Sequence, residues 1–288
     1  MHGQWTSRSR AATLPGGKSV KLGVIGCGKM AEAIIRGVIE SGLHRSGEIC
    51  GSDINRRKLG RLAKKTGILA CSSNAEVILK SGVTVLAVKP QDISKVVSEL
   101  RAAKARSRLV ISIAAGVRIC TIQQAIRNAR VIRVMPNMPC LVGGGMSVFA
   151  AGSRATTADC RVAQRLFNCL GDVLQLSEKQ LDAVTALSGS GPAFLAYCLD
   201  SMIDGAVREG LSRRIALKLA TQTMFGTGKL LRELGTDPAD LIAAVASAKG
   251  TTAAGLTVLE SSCLRQALVR TIRAAAKRSR NLSGVGNP

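Results

Sequence analysis

Six consecutive residues, Gly26-Cys27-Gly28-Lys29-Met30-Ala31, have the types and spacing to hold a phosphate. They follow a β-branched run, Val20 to Ile25, and open a helical period from Met30 to Glu40. A GxGxxA text at a strand-to-helix turn is the dinucleotide fingerprint, here with alanine in its last position. Gly26 permits the tight turn, Gly28 lets backbone approach a pyrophosphate, and Ala31 allows helix and sheet to pack closely. Cys27, Lys29 and Met30 carry the other N–H groups of the turn, where the helix dipole favours an anion. Out of that context the same glycines would mark only a structural βα turn.

The next chemical group stands one strand later. Ser52 and Asp53 end the run Glu48 to Ser52, and a carboxylate there normally accepts from a ribose 2′-hydroxyl, which selects NAD. A 2′-phosphate about 4 Å away would meet repulsion of roughly 4 kcal/mol at a surface-like dielectric. Arg56 and Arg57 follow within a turn and could bind that phosphate instead. The residues alone leave the choice between NADH and NADPH open. With His2 and His44 the only histidines, schemes that need a catalytic histidine fail, and no metal site is expected.

The elements that position these groups come in two styles. Up to about residue 178, short strands alternate with helical periods. Beyond the runs already named, strands are expected at Ile68 to Cys71, Val83 to Val88, Leu109 to Ile113 and Val131 to Val134, with a charged helix at Asn55 to Lys65. That alternation predicts a Rossmann-type parallel sheet with helices on both faces. After residue 178 strand signals stop, and helices are expected at Pro192 to Glu209, Arg213 to Glu233, Pro238 to Ala246 and Leu256 to Arg280. The fold class is therefore α/β. A tail (1–18) precedes a dinucleotide-binding domain (19–178), and an all-α domain (179–288) closes the chain.

Composition narrows the classes further. At 288 residues and 46% hydrophobic, the chain can bury a proper core. Its net charge of +23 would suit a polyanion, yet the basic residues are spread along the chain and base-stacking aromatics are nearly absent. Between Leu100 and Thr157 no acid occurs, while Arg101, Lys104, Arg106, Arg108, Arg118, Arg127, Arg130, Arg133 and Arg154 accumulate; this reads as a solvated basic face, not a nucleic-acid site. Nine cysteines without a CxxC pair read as small buried hydrophobes in a reducing compartment. Met1 to Lys18 lacks the apolar core of a secretory signal, which predicts a cytoplasmic protein, with a plastid or mitochondrial transit peptide as the alternative. The uncharged run Val134 to Ser153 holds Pro136, Pro139 and four glycines, so it reads as strand and loop and no membrane span is expected.

Several segments, taken together, resemble the pyrroline-5-carboxylate reductase family. They are Leu22 to Ala31, Ala87-Val-Lys-Pro-Gln91, Ser112-Ile-Ala-Ala-Gly116, Arg133-Val-Met-Pro-Asn137, Asp182 to Pro192 and Gly250-Thr-Thr252. The similarity runs from about Val20 to Leu282; the Asn55-Arg56-Arg57 stretch and the Ala-Ala-Lys-Arg-Ser-Arg280 ending look closest to plant members. The resemblance implies reduction of 1-pyrroline-5-carboxylate to L-proline, the last step of proline biosynthesis, with NADPH preferred and NADH accepted. It places the nicotinamide, in a pocket between the domains, near Ala87, Val88, Lys89, Pro90, Ala114, Ala115 and Asn137, and puts Asn74 near the adenosine ribose or its 2′-phosphate. It also implies an interlocked homodimer through the helical domain, often assembled into decamers.

The family's substrate loop, Ser-Pro-Gly-Gly-Thr/Ala-Thr, reads Ser247-Ala248-Lys249-Gly250-Thr251-Thr252 here. Ser247, Gly250, Thr251 and Thr252 are expected to bind the substrate. Ser247 and Thr252 are the expected catalytic pair, with the Thr252 hydroxyl beside the imine nitrogen. Lys249 replaces a glycine, so the loop keeps its geometry only if a lysine holds a left-handed backbone, at a cost of roughly 1–2 kcal/mol. A weakened but working enzyme is the expectation. The rivals are a nucleotide-binding paralogue that has lost catalysis, another Rossmann reductase of small acids such as a 3-hydroxyacid dehydrogenase, and a nucleic-acid binder drawing on charge alone.

Overall fold

The computed structural model describes residues 22–103, 109–126 and 128–282. The expected tail (1–18), the first two residues of the Val20 to Ile25 run, and Lys104, Arg106, Arg108 and Arg127 lie outside them. The described chain forms two compact units, one of residues 22–184 with 280–282, the other Thr185–Ser279.

The first unit is built on eight strands: β1 (Leu22–Ile25), β2 (Ile49–Ser52), β3 (Leu69–Ala70), β4 (Val83–Leu86), β5 (Leu109–Ser112), β6 (Arg130–Met135), β7 (Gly145–Ala151) and β8 (Gly171–Gln175). Their order is β3-β2-β1-β4-β5-β6-β7-β8. The first six are parallel, as the alternation of elements predicts; β7 runs antiparallel to β6, and β8 parallel to β7. That reversal follows from the connection, since β6 and β7 are joined by the Pro- and Gly-rich run and not by a crossover helix.

Helices cover both faces. On one lie α1 (Lys29–Glu40), α2 (Arg56–Thr66) and α6 (Thr157–Asn168), packed on Leu22, Val24, Val85 and Ile111. On the other lie α3 (Asn74–Lys80), α4 (Ile93–Ala102), α5 (Ile119–Ala125) and α7 (Leu181–Val184), packed on Ile25, Leu86, Val110 and Val131. Neighbouring strand residues therefore bury on opposite sides, and central strands read as unbroken apolar runs because neither side meets water.

Two expectations about this unit change. Arg118, Arg130 and Arg133 do not form a solvated face. Arg133 is 2% exposed, with Nη1 3.3 Å from Glu178 Oε1; Arg118 lies 3.8 Å from Asp182 and Arg130 3.1 Å from Asp159. Their acidic partners come from later in the chain, which a local charge count misses. Nor are all nine cysteines buried. Cys27, Cys50, Cys71 and Cys140 are, but Cys120 and Cys263 are exposed and the other three half-buried.

The second unit is helical: a π-turn (Thr185–Gly189), then α8 (Gly191–Arg208), α9 (Arg213–Leu234), α10 (Pro238–Val245), α11 (Thr251–Ser261) and α12 (Leu264–Leu282), the last of which it holds up to Ser279. Pro192 sits in the first turn of α8, and Asp237 Oδ1 caps α10 by accepting from Ala239 N–H at 2.8 Å. The helix expected from Leu256 to Arg280 is instead two. Ser262 turns extended (ψ 165) and its hydroxyl accepts from Leu264 N–H at 3.2 Å, so a serine ends α11 and starts α12.

Candidate active site

The strand order reverses between β1 and β4, and in such sheets ligands bind beyond the carboxyl ends of the strands at that point. A cleft of about 900 Å³ lies there. Gly26 leaves β1 with φ +92, and a Cβ on it would stand 2.8 Å from the Ala87 carbonyl, so only glycine makes this turn. Gly28 caps α1 without a side-chain acceptor, which leaves the first amides of the helix free. A Cβ on Gly28 would project into open space, its nearest neighbour Lys58 Nζ at 4.0 Å. A dinucleotide's diphosphate fits this arrangement: free amides, a helix start and no side chain in the way.

Of the expected cofactor residues, Gly26, Cys27, Gly28, Ser52, Asp53, Arg56, Asn74, Ala87, Val88 and Lys89 line the cleft. Lys29, Met30, Pro90, Ala114, Ala115 and Asn137 do not. Lys29 and Met30 begin α1, Pro90 starts a short 3-10 turn, and Ala114 is buried behind β5. Asn137 follows β6, and its Oδ1 accepts from Met146 N–H at 2.9 Å, bracing the start of β7.

The electrostatics differ from the simple contest between Asp53 and two arginines. Asp53 Oδ2 accepts from Cys27 N–H at 2.6 Å and Oδ1 from Asn55 N–H at 2.8 Å, so both carboxylate oxygens are engaged. Arg56 Nη1 donates to the Cys71 carbonyl at 2.8 Å, and Nη2 donates to that of Ser72, which fixes the guanidinium over the loop between β3 and α3. Asn74 joins them, accepting from the Ser52 hydroxyl and donating to Glu99, both at 2.6 Å. Arg57 is exposed and does not line the cleft. Lys58 does, with Nζ 3.9 Å from Asp53 Oδ2. Sequence reasoning passed over Lys58, Ser72, Ser73, Lys95 and Glu99; the signal for Lys58 was a third cation in one helical turn. The Cys27 thiol is pushed up to about 12, chiefly by burial and secondly by Asp53, so this residue offers its N–H and not a nucleophile.

In the helical unit, Ser247 to Gly250 form a turn closed by Gly250 N–H on the Ser247 carbonyl at 3.0 Å. Lys249, its third residue, has φ +62, a position that turns of this kind reserve for glycine. Lysine thus holds the left-handed backbone on which the loop geometry depends. Gly250 caps α11, again with no side-chain acceptor, and a Cβ there would collide with the Ser247 hydroxyl. Thr251 and Thr252 are the first two residues of α11, Thr252 half-buried. By contrast, α2, α3, α6, α9 and α10 are capped by Asn55, Ser73, Thr156, Ser212 and Asp237. The starts of α4, α5 and α8 also lack a side-chain cap, but α1 and α11 start on a glycine, so no N-cap side chain stands between their first amides and an anion.

Comparison with known proteins bears on both parts. Residues 178–282 match the family described as pyrroline-5-carboxylate reductase dimerisation, and 21–116 match that described as NADP oxidoreductase coenzyme F420-dependent. The chain is 41% identical over 269 residues to the pyrroline-5-carboxylate reductase of Arabidopsis thaliana, covering 92% of this chain and 96% of that one. The chain belongs to the pyrroline-5-carboxylate reductase family. The Methanosarcina acetivorans reductase is also 41% identical, covering 91% of this chain and 97% of its own. Among solved structures, the Coxiella burnetii pyrroline-5-carboxylate reductase superposes with TM-score 0.86 at 32% identity, covering 92% of this chain and 99% of that chain. The Plasmodium falciparum pyrroline carboxylate reductase with NADP bound gives 0.83 at 28% identity, covering 93% of this chain and all of its own (100%). The fold expectation, a Rossmann-type sheet followed by a helical dimerisation region, holds.

Proposed function

We infer that this chain reduces 1-pyrroline-5-carboxylate to L-proline with NADPH, the closing step of proline biosynthesis. The observation that carries the reading is the pair of glycine-capped helix starts, one in the dinucleotide cleft and one in the Ser247–Thr252 segment, within a chain of this family. Bound at the cleft, the cofactor supplies hydride to the imine carbon.

The chain's own residues do the rest. The Gly26–Gly28 amides and α1 hold the diphosphate, with Arg56, Asn74 and Lys58 around the adenosine end. Ala87, Val88 and Lys89 border the nicotinamide end, and Ala114, Ala115 and Asn137 back the loops there. The free amides of Thr251 and Thr252 take the substrate carboxylate, worth roughly 0.3–2 kcal/mol from the dipole. Ser247 fixes the turn, and the Thr252 hydroxyl sits at the imine nitrogen. That nitrogen can arrive protonated, so a histidine is not required. Lys249 holding φ +62 favours a working enzyme over an inactive paralogue, because the turn survives the change of residue.

The chain acts as a homo-oligomer, with a dimer as its minimal stable unit and decamers as the larger assembly. Among the described residues no helix is long and apolar enough to cross a membrane. Nine free cysteines favour a reducing compartment, for which we take the cytoplasm, a plastid or mitochondrion being the alternative. The test is NADPH oxidation with pyrroline-5-carboxylate supplied. Turnover to proline is expected; NADPH binding without turnover, even in Lys249→Gly, would hand the reading to the inactive paralogue.

A further inference from the structure

We propose that Lys58 is the residue by which this chain selects a 2′-phosphorylated nicotinamide cofactor over the unphosphorylated one. The proposal rests on the NADPH reading above and names the group that decides it.

Four features of the cleft point to Lys58. Its ammonium stands at the cleft wall between Asp53 and Gly28, 3.9 Å from Asp53 Oδ2 and 4.0 Å from where a Gly28 Cβ would be. It is ion-paired with Asp53 at a separation too long for a hydrogen bond, so no hydrogen bond to that carboxylate fixes its direction, and its side chain is half exposed. Arg56 is fixed differently, with both terminal nitrogens donating to the Cys71 and Ser72 carbonyls; it is a clamp on the β3–α3 loop. Arg57 is exposed and is not part of the cleft lining.

Helix energetics argue the same way. Arg56, Arg57 and Lys58 fill the first turn of α2, which contains no acid. Cations at a helix start oppose its dipole, so this placement does not serve the stability of α2. An anion in front of the turn reverses the sign of that interaction. Asp53 would then not be left unpaired, because Cys27 N–H and Asn55 N–H already satisfy both of its oxygens. Lys58 can leave Asp53 for a phosphate without exposing a bare carboxylate, and it offsets the repulsion that Asp53 would exert on that phosphate.

The experiment is a binding titration of the full chain with NADPH and with NADH, followed by protein-bound nicotinamide fluorescence, for the unmodified protein, Lys58→Met and Arg57→Ala. Lys58→Met is expected to weaken NADPH about ten- to hundredfold, the loss of one charge-assisted hydrogen bond, and NADH by less than about twofold. Arg57→Ala should change neither, and the melting temperature of Lys58→Met should not fall. Equal weakening of both cofactors would place Lys58 on the shared diphosphate and overturn the proposal, as would unchanged NADPH affinity. If the unmodified chain binds neither cofactor, the NADPH reading itself fails; if it binds both and Lys58→Met does not discriminate, only this inference fails.

Discussion

The sheet unit buries what its strands and helices present, whereas the helical unit leaves most of its apolar side chains uncovered by its own chain. In the first, Leu22, Ile34, Val85, Val110 and Ile132 are all fully buried, on both faces of the sheet. In the second, the buried apolar residues are Ala186, Ile203, Ala216 and Ala276, while Tyr197, Phe225 and Leu234 are 78%, 65% and 67% exposed. Both units have well-formed helices, so local propensity does not separate them. Packing does. Helices of this length draw most of their stability from tertiary contacts, and apolar surface left this open marks an interaction site. The helical unit is best understood as one contribution to a core that a second copy completes, in line with its membership of the dimerisation family.

The largest expected effect follows from that contrast. Phe225→Asp in α9 should break the assembly: burying a Phe is worth about 2 kcal/mol, and an isologous interface counts it twice, which makes association roughly a thousandfold weaker. Sedimentation should show monomer, and circular dichroism a loss of helix with the sheet unit retained. If Phe225→Asp sediments and folds like the unmodified protein, the exposed face of α9 is not the contact.

Next in size is Thr252→Ala, expected to lower kcat/KM about tenfold by removing one hydrogen bond to the imine nitrogen. NADPH affinity should stay unchanged, since Thr252 belongs to the helical unit and the cofactor cleft to the other. Unaltered turnover in this variant would mean that Thr252 is misplaced in the reaction. Lys249→Gly should act oppositely, raising kcat/KM several-fold and the melting temperature by a few degrees as the left-handed cost of roughly 1–2 kcal/mol is removed. A fall in both would show that the ammonium contributes more than the backbone costs.

The smallest effect concerns thiol labelling. Burial pushes the Cys27 and Cys50 thiols up to about 12, so few thiolates form at neutral pH. Exposed Cys120 should react with a thiol reagent at once, and Cys27 and Cys50 only after unfolding. Cys263, exposed in the single chain, should be slowed if the second copy covers its surroundings. Rapid labelling of Cys27 in the folded protein would contradict the packing of the dinucleotide turn.

What could be read from the sequence divides along the same line. The dinucleotide turn was legible because glycine spacing and a strand–helix junction are local, and the first six strands were legible because β-branched runs recur between helical periods; β8 (Gly171–Gln175), whose text GDVLQ has no such run, was not. The Ser262 break was not, since a serine pair inside an apolar period looks like part of one helix until its hydroxyl takes the next helix's amide. Arg133 was misread as solvated because its partner, Glu178, lies far along the chain. Lys58 was missed because Arg56 and Arg57 stand nearer to Asp53 in the chain, whereas helix phase brings Arg56 and Lys58, and not Arg57, to the cleft lining. Lys249 was the reverse case: its need for a left-handed backbone was stated from a substitution alone, and φ is +62.

The most direct test of the account couples its two halves, the cofactor chemistry and the shared helical core. NADPH oxidation with pyrroline-5-carboxylate should be measured across protein concentration, with sedimentation run on the same samples. Activity per chain should track the dimer fraction and vanish as monomer takes over, with proline formed in step with NADPH consumed. A fully active monomer, or a stable dimer that never oxidises NADPH on the imine, would contradict it.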